Sequence, residues 1–358
     1  MQIGTDPRWA VRVRGLARGE ARMLAGLGDL VEVPLTRLAH EHDVEPARAQ
    51  ELFDALARTR VLAPPVENRR GVDRDPVPAR LGDDLQVRSL LLADADGAAQ
   101  IAGRARRSVR IEGLGRVGTV LAGALATAGV GTVVPVDPRE VGPHETGVGL
   151  TERDVGRPRS EAVAQVVTDR APGAVTSSGA DGPDVVVLVD SYATDPERAR
   201  AWRDAGVAVL PVVVREADVV VGPFVRSDRG PCLGCVGLSM TEVDPDWPLL
   251  AAQLCSRGRR EPAPQESLLA QVAGAFAAAQ VVAALDGVEP ATAGASFELA
   301  LPQCVGVRRE WPVHPRCACT EPPLGVPEVT PASGGGLVDL GAPCSPCVGA
   351  PCPGAPCP

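Results

Sequence analysis

SVRIEGLGRVGTVLAGALATAGVGTVVPVD, residues 108–137, is the stretch whose reading decides the fold. Val109 to Ile111 reads as a short apolar strand. Gly113, Gly115 and Gly118 form G-x-G-x-x-G, and an Ala- and Leu-rich helix follows, ending at Gly129 and Gly131. Thr132 to Val136 reads as a second strand closed by Asp137. Each part has a physical role. The first two glycines let backbone N–H groups approach a phosphate, and the third lets the helix pack close to the strand. The helix N-terminus adds its dipole. Asp137, 19 residues after Gly118, stands where a carboxylate accepts from a ribose hydroxyl. The expectation is a nucleotide-binding unit. A tight turn in an α/β domain without nucleotide would carry the same local pattern.

Outward from this unit, strands keep alternating with helices. Asp184 to Val189 (DVVVLV) has the continuous apolar run of a buried parallel strand and ends at Asp190. A helix is expected from Pro196 to Asp204, a strand from Val207 to Val214, and a long apolar helix from Glu266 to Leu285, stopped by Asp286-Gly287. The fold class is therefore α/β and Rossmann-like, a mostly parallel sheet with helices on both faces. On the N-terminal side, Trp9 to Val13 alternates as a strand. Glu20 to Leu27, Pro34 to His42 and Pro46 to Thr59 carry helical apolar spacing, and Val61-Leu62 follows. This order resembles a winged helix, and also the PqqD-like leader-peptide-binding domain of peptide-modifying systems. Residues 64–88 are rich in Pro and charge and read as connecting sequence. The chain divides into a winged-helix-like domain (1–85), a linker (86–105), the nucleotide-binding domain (106–320) and a Pro/Gly/Cys-rich tail (321–358), whose composition predicts disorder.

Composition narrows the function. Hydrophobic residues make up 45% and aromatics only 3%, so the core is built mainly from Val, Leu and Ala. The net charge of −9 argues against nucleic acid as a partner. No apolar run approaches the roughly 18 residues of a membrane span, and the N-terminus lacks the apolar region of a signal peptide, so a cytoplasmic location is expected. All 36 basic residues are arginine; the chain contains no lysine. Chemistry that needs an ammonium from lysine is excluded in its usual form, and arginine brings a different donor geometry.

Two close cysteine pairs stand far apart: Cys232 and Cys235 in PCLGC, Cys317 and Cys319 in HPRCAC. Two tight turns each giving two sulfurs are what a tetrahedral zinc site needs, and a cytoplasmic setting favours metal over disulfides. Four free thiols are the alternative. His314 reads as a turn residue before Pro315. Cys344, Cys347, Cys352 and Cys357 lie in the low-complexity tail.

The order of glycine loop, Asp137, Asp190, PCLGC and CAC resembles the ThiF/MoeB/HesA family, bacterial relatives of ubiquitin-activating enzymes. DVGRPRSEAVAQVV looks like that family's D-x-G-x-P-K segment and the helix after it. DVVVLVDS looks like the strand carrying its magnesium-site aspartate, and LLAQVAGAFAAAQVVAALDG like its long helix. The resemblance implies that Gly113, Gly115 and Gly118 hold the phosphates of ATP and Asp137 the ribose. It implies that Asp190 binds Mg²⁺ or the adenylate, and that Cys232, Cys235, Cys317 and Cys319 hold Zn²⁺. A helix N-cap is the other reading of Asp190. The chain also departs from the family. Its loop after the ribose acid carries an N-x-x-R-Q element, where this chain has VGPHETGVGL without arginine. Arg159 replaces the lysine of G-x-P-K, and Arg153 or Arg157 could compensate for the missing arginine. Cys255 falls in the region where some members have a reactive cysteine, and Arg257, Arg259 and Arg260 would lower its pKa.

The resulting reading is ATP-dependent adenylation of the C-terminus of a small carrier protein or precursor peptide, by a homodimer. The alternative is a catalytically degenerate scaffold that binds a precursor peptide for a partner modifying enzyme, which the loss of both basic groups favours. An NAD-dependent oxidoreductase explains the glycine loop but not the cysteine pairs.

Overall fold

A computed structural model describes residues 1–320 apart from Trp9, 28–33, 60–76, Ala93, Ala95, Ser178, Ala180 and Asp181. The chain splits into two units, Met1–Thr320 and Glu321–Pro358. The tail with its four cysteines, the segment Val61-Leu62 and most of the stretch 64–88 lie outside the described residues.

At the N-terminus, β1 (Gln2–Ile3) pairs antiparallel with β2 (Val11–Arg12). Three helices follow: α1 (Arg18–Gly26), α2 (Leu35–Glu41) and α3 (Pro46–Ala57). Proline opens α3 at its first turn, where a missing N–H costs nothing. Met23, Leu24, Leu38, Ala39, Leu52 and Leu56 form a small core of their own, onto which Ile3 and Val11 pack. The three helices match the apolar spacing of the sequence. The sequence reading had no counterpart for β1, whose two residues carry too little pattern to be seen.

Residues 86–91 and 97–105, read as part of a linker, fall in helices. A short 3₁₀ turn (Ala79–Leu81) leads into α4 (Gly82–Leu91), and α5 (Gly97–Ala105) follows. Asp96 caps α5 by accepting from the Ala99 N–H at 2.7 Å. The last turn of α5 is pinned by Arg104, whose guanidinium meets the carboxylate of Asp286 through Nε at 2.7 Å and Nη2 at 2.6 Å. Both side chains are 1% exposed. That partner lies 182 residues away, so local patterning does not reveal what holds these helices.

The central sheet has seven strands in the order β4-β3-β5-β6-β7-β8-β9. They are β3 (Ser108–Glu112), β4 (Thr132–Val136), β5 (Val185–Ser191), β6 (Ala208–Val214), β7 (Asp218–Val221), β8 (Ala295–Ala300) and β9 (Val305–Glu310). The pairings from β4 to β6 are parallel, and those from β6 to β9 antiparallel. The helices are α6 (Arg116–Thr127), α7 (Arg159–Arg170), α8 (Pro196–Asp204), α9 (Leu233–Val243), α10 (Trp247–Arg260) and α11 (Ser267–Leu285). Strand β5 is buried on both faces. Val185, Val187 and Val189 join α6, α7 and α11 in the large core, while Val186 and Leu188 pack with Ala199 of α8. Strand order reverses between β4 and β5 around β3. This is the switch point at whose carboxyl ends open α/β sheets bind ligands.

One sequence expectation needs correction. Helix α11 has no charged residue over its 19 positions and is long and apolar enough to cross a membrane. Its apolarity has a packing cause: half of it is buried, and it packs along α6 and touches β6, β7 and β8. Gly274 permits close approach to α6, since a Cβ there would lie 2.8 Å from the Val120 side chain.

Candidate nucleotide site and zinc cluster

The glycine loop joins β3 to α6, with Gly115 at the helix N-cap. Gly113 has φ +101°, and a Cβ there would sit 2.2 Å from the Val189 carbonyl oxygen. A Cβ on Gly118 would sit 2.1 Å from the Gly113 oxygen. Two of the three glycines are thus required by backbone approach within the protein alone. At Gly115 the neighbour is a side chain: a Cβ would meet the Gln265 amide nitrogen at 2.5 Å. The Val117 N–H, in the first turn of α6, donates to Gln265 Oε1 at 2.8 Å.

Asp137 ends β4 with its side chain 1% exposed. Its carboxylate accepts from the Leu114 N–H at 2.9 Å, from the Arg139 N–H at 3.0 Å and Nε at 2.8 Å, from Arg139 Nη2 at 2.8 Å, and from Arg159 Nη1 at 3.0 Å. Burial alone would raise its pKa. The Arg139 guanidinium and the Leu114 N–H outweigh burial and hold it at about 2. Arg159 is buried between two acids, reaching Glu145 at 2.7 Å as well as Asp137. Its positive charge is spent on carboxylates of the chain itself.

Asp190 stands near the end of β5. Its Oδ1 accepts from Arg198 Nη1 at 2.7 Å, and Arg198 Nη2 reaches Glu112 at the end of β3 at 2.9 Å. The other oxygen, Oδ2, is buried without a hydrogen-bond partner among the described residues. The N-cap of α8 is Asp195, which accepts from Glu197 N, so the capping alternative for Asp190 falls away. Gly113, Asp137, Arg139, Asp190 and Cys255 line one cavity of about 520 Å³. Gly113, Gly115, Arg116, Arg139, Arg159 and Gln265 line a second of about 540 Å³. The structure thus brings the expected loop, ribose acid and second aspartate to one crevice. Arg153 and Arg157 line neither cavity. Burial, followed by the charges of Asp195 and Asp190, pushes the Cys255 thiol up, so the nearby arginines do not make it a ready thiolate. The crevice adds four residues that the sequence reading did not single out: Glu112, Arg139, Arg198 and Gln265. Only Arg139 had a local signal, its place two residues after an acid.

The four expected sulfurs converge. Cys232 caps α9, Cys235 lies in its first turn, and Cys317 and Cys319 bracket the start of the closing 3₁₀ turn. The Cys235–Cys319 separation is 3.3 Å, Cys232–Cys317 3.6 Å and Cys232–Cys235 3.9 Å. All four sulfurs lie within 4.8 Å of one another. A tetrahedral zinc with bonds of about 2.3 Å sets its sulfurs roughly 3.8 Å apart, so the donor set fits Zn²⁺. His314 stays outside the cluster, with Nε2 against Glu242 Oε1 at 2.9 Å.

A glycine loop and two strand-end aspartates at the switch point, with a separate four-thiol cluster of a geometry that fits zinc, mark a Rossmann-like α/β fold. The ThiF family model matches residues 87–319, and the chain belongs to the ThiF family. No curated protein matches it in sequence. Among solved structures, E. coli MccB with AMPCPP and MccA is 15% identical at a TM-score of 0.63, covering 88% of this chain and 93% of that one. The microcin C7 biosynthetic enzyme MccB in complex with N-formylated MccA is 15% identical at 0.62, covering 89% and 94%. PaaA is 18% identical at 0.64, covering 87% and 95%. At these identities the likeness establishes a shared fold.

Proposed function

We propose that this ThiF-family protein binds ATP at the glycine loop and adenylates the C-terminus of a precursor peptide or small carrier protein. The observation that carries this reading is Asp190 Oδ2, a buried carboxylate oxygen without a hydrogen-bond partner among the described residues, in the same cavity as Gly113 and Asp137. Buried unpaired anionic oxygens are costly, and a ligand or cation that reaches this one is favoured. Asp190 would hold Mg²⁺, which neutralises phosphate charge when bound. An oxygen of the peptide carboxylate attacks the α-phosphorus, the bond to the bridging oxygen breaks, and pyrophosphate leaves. The α6 N-terminus and Arg139 face the developing negative charge. The peptide's leader would add a strand to the β1–β2 edge of the N-terminal unit. MccB, solved with MccA, supports a peptide partner.

A second reading rests on Asp137, whose carboxylate already accepts from Leu114, Arg139 and Arg159. With this acid engaged and no arginine in residues 141–150, the chain would recruit a peptide for a partner enzyme without its own chemistry. ATP–pyrophosphate exchange with candidate peptides separates the two. Exchange that Asp190→Ala abolishes supports adenylation. Peptide binding with neither exchange nor ATP binding supports the scaffold.

A further inference from the structure

The segment from Glu261 to Gln265 (EPAPQ) connects α10 to α11 across the mouth of the glycine loop. Pro262 and Pro264 fix two of its φ angles and stiffen it. Three contacts hold it there. The Ala263 N–H donates to Ser191 Oγ at 3.0 Å, beside Asp190. Arg116 Nη1 donates to the Gln265 carbonyl at 3.1 Å. The Gln265 side-chain oxygen accepts from the Val117 N–H at 2.8 Å. On one side the strap runs into α11, whose cap is Glu266. On the other it follows α10, a helix with no buried residue. The amide of Gln265 packs so closely on the loop that a methyl group on Gly115 would collide with it.

We infer that Gln265 is an internal ligand of the phosphate subsite and that nucleotide must displace it. The inference rests on the nucleotide-cradle reading above. A phosphate oxygen and the Gln265 oxygen would compete for the same N–H in the first turn of α6. A phosphate carries full negative charge to the positive end of the helix, whereas the amide brings only a dipole. Phosphate therefore wins at sufficient concentration, but the apparent affinity is lowered by the fraction of molecules in which the loop is open. Because the strap also touches Ser191, its displacement loosens the neighbourhood of Asp190 in the same movement. The strap thus makes loading of the two halves of the site a single event.

The test is a titration of the full chain with MgATP by calorimetry, in the wild type, Gln265→Ala and Gln265→Glu. Alanine removes the competitor, and affinity should rise about fivefold, the value of a typical helix cap. Glutamate keeps the shape and places a charge at the helix end, so affinity should fall below that of the wild type. Gln265→Ser, which shortens the side chain, serves if the alanine variant does not fold, and should also bind tighter than the wild type. Equal affinities across the series leave the nucleotide reading standing and overturn the role of Gln265. Absence of ATP binding in every form overturns both.

Discussion

Arg139 folds back over Asp137, two residues before it, with Nε on Oδ1 and Nη2 on Oδ2, both at 2.8 Å. The carboxylate expected to meet a ribose is covered by the chain's own guanidinium, which lines both cavities. Arg139→Ala should uncover it. The wild type should bind ATP and 2′-deoxy-ATP alike. The variant should prefer ATP by about fivefold, the worth of one net hydrogen bond of roughly 1 kcal/mol. Equal binding of the two nucleotides by the variant would mean that Asp137 does not face the sugar.

The same ion pair predicts an acid limb of stability. Asp137 has a folded pKa of about 2 against an ordinary value of 3.8. A depressed carboxylate stabilises the fold above its unfolded pKa and loses that contribution as pH falls through the folded one. The term is worth about 2 kcal/mol at neutral pH and disappears between about pH 4 and pH 2. Urea unfolding of wild type and Asp137→Asn should therefore differ most above pH 4 and converge toward pH 2. A difference that does not shrink on acidification would count against the assignment.

The buried pair Arg104–Asp286 joins α5 to the end of α11. Arg104→Ala leaves a carboxylate that is 1% exposed facing mainly the more exposed Arg88, at 3.3 Å. A loss of about 3–5 kcal/mol is expected. The double change Arg104→Met with Asp286→Leu should recover much of it, because no unpaired charge remains. Denaturant midpoints of the three proteins measure this.

Zinc binding is read by metal content. The purified chain should carry about one zinc held by the four sulfurs, and Cys235→Ser should lower both the content and the melting temperature. A wild type prepared with zinc that holds less than about 0.2 equivalents would refute the site.

Burial and the charges of Asp195 and Asp190 raise the Cys255 thiol. At pH 7 it should alkylate with iodoacetamide more slowly than the same cysteine in the unfolded chain. Asp190→Asn removes one of those charges and should speed the reaction. Mass mapping of the labelled peptide gives both rates.

Thr132–Val136 and Pro196–Asp204 carry the boundaries read from sequence, because glycine, proline and acidic caps mark their ends locally. Strands β7 to β9 were not foreseen. Their antiparallel pairing joins residues near 220 to residues near 300, and β9 is exposed at every position, so no buried pattern announces it. Helices α4 and α5 hid in a stretch of charge and alanine, and the carboxylate that meets an arginine of each, Asp286, lies far along the chain.

The sequence by itself determined the glycine loop, the aspartates at the ends of β4 and β5 and the paired sulfurs. These are short motifs whose geometry is set within a few residues. Only the tertiary structure decided which of those groups are already engaged. Asp137 is met by Arg139 and Arg159, Asp190 by Arg198, and the α6 N-terminus by Gln265, which comes from a strap 148 residues beyond Val117. A motif shows which donors and acceptors a site can present. Which of them remain available depends on where the rest of the chain crosses the site.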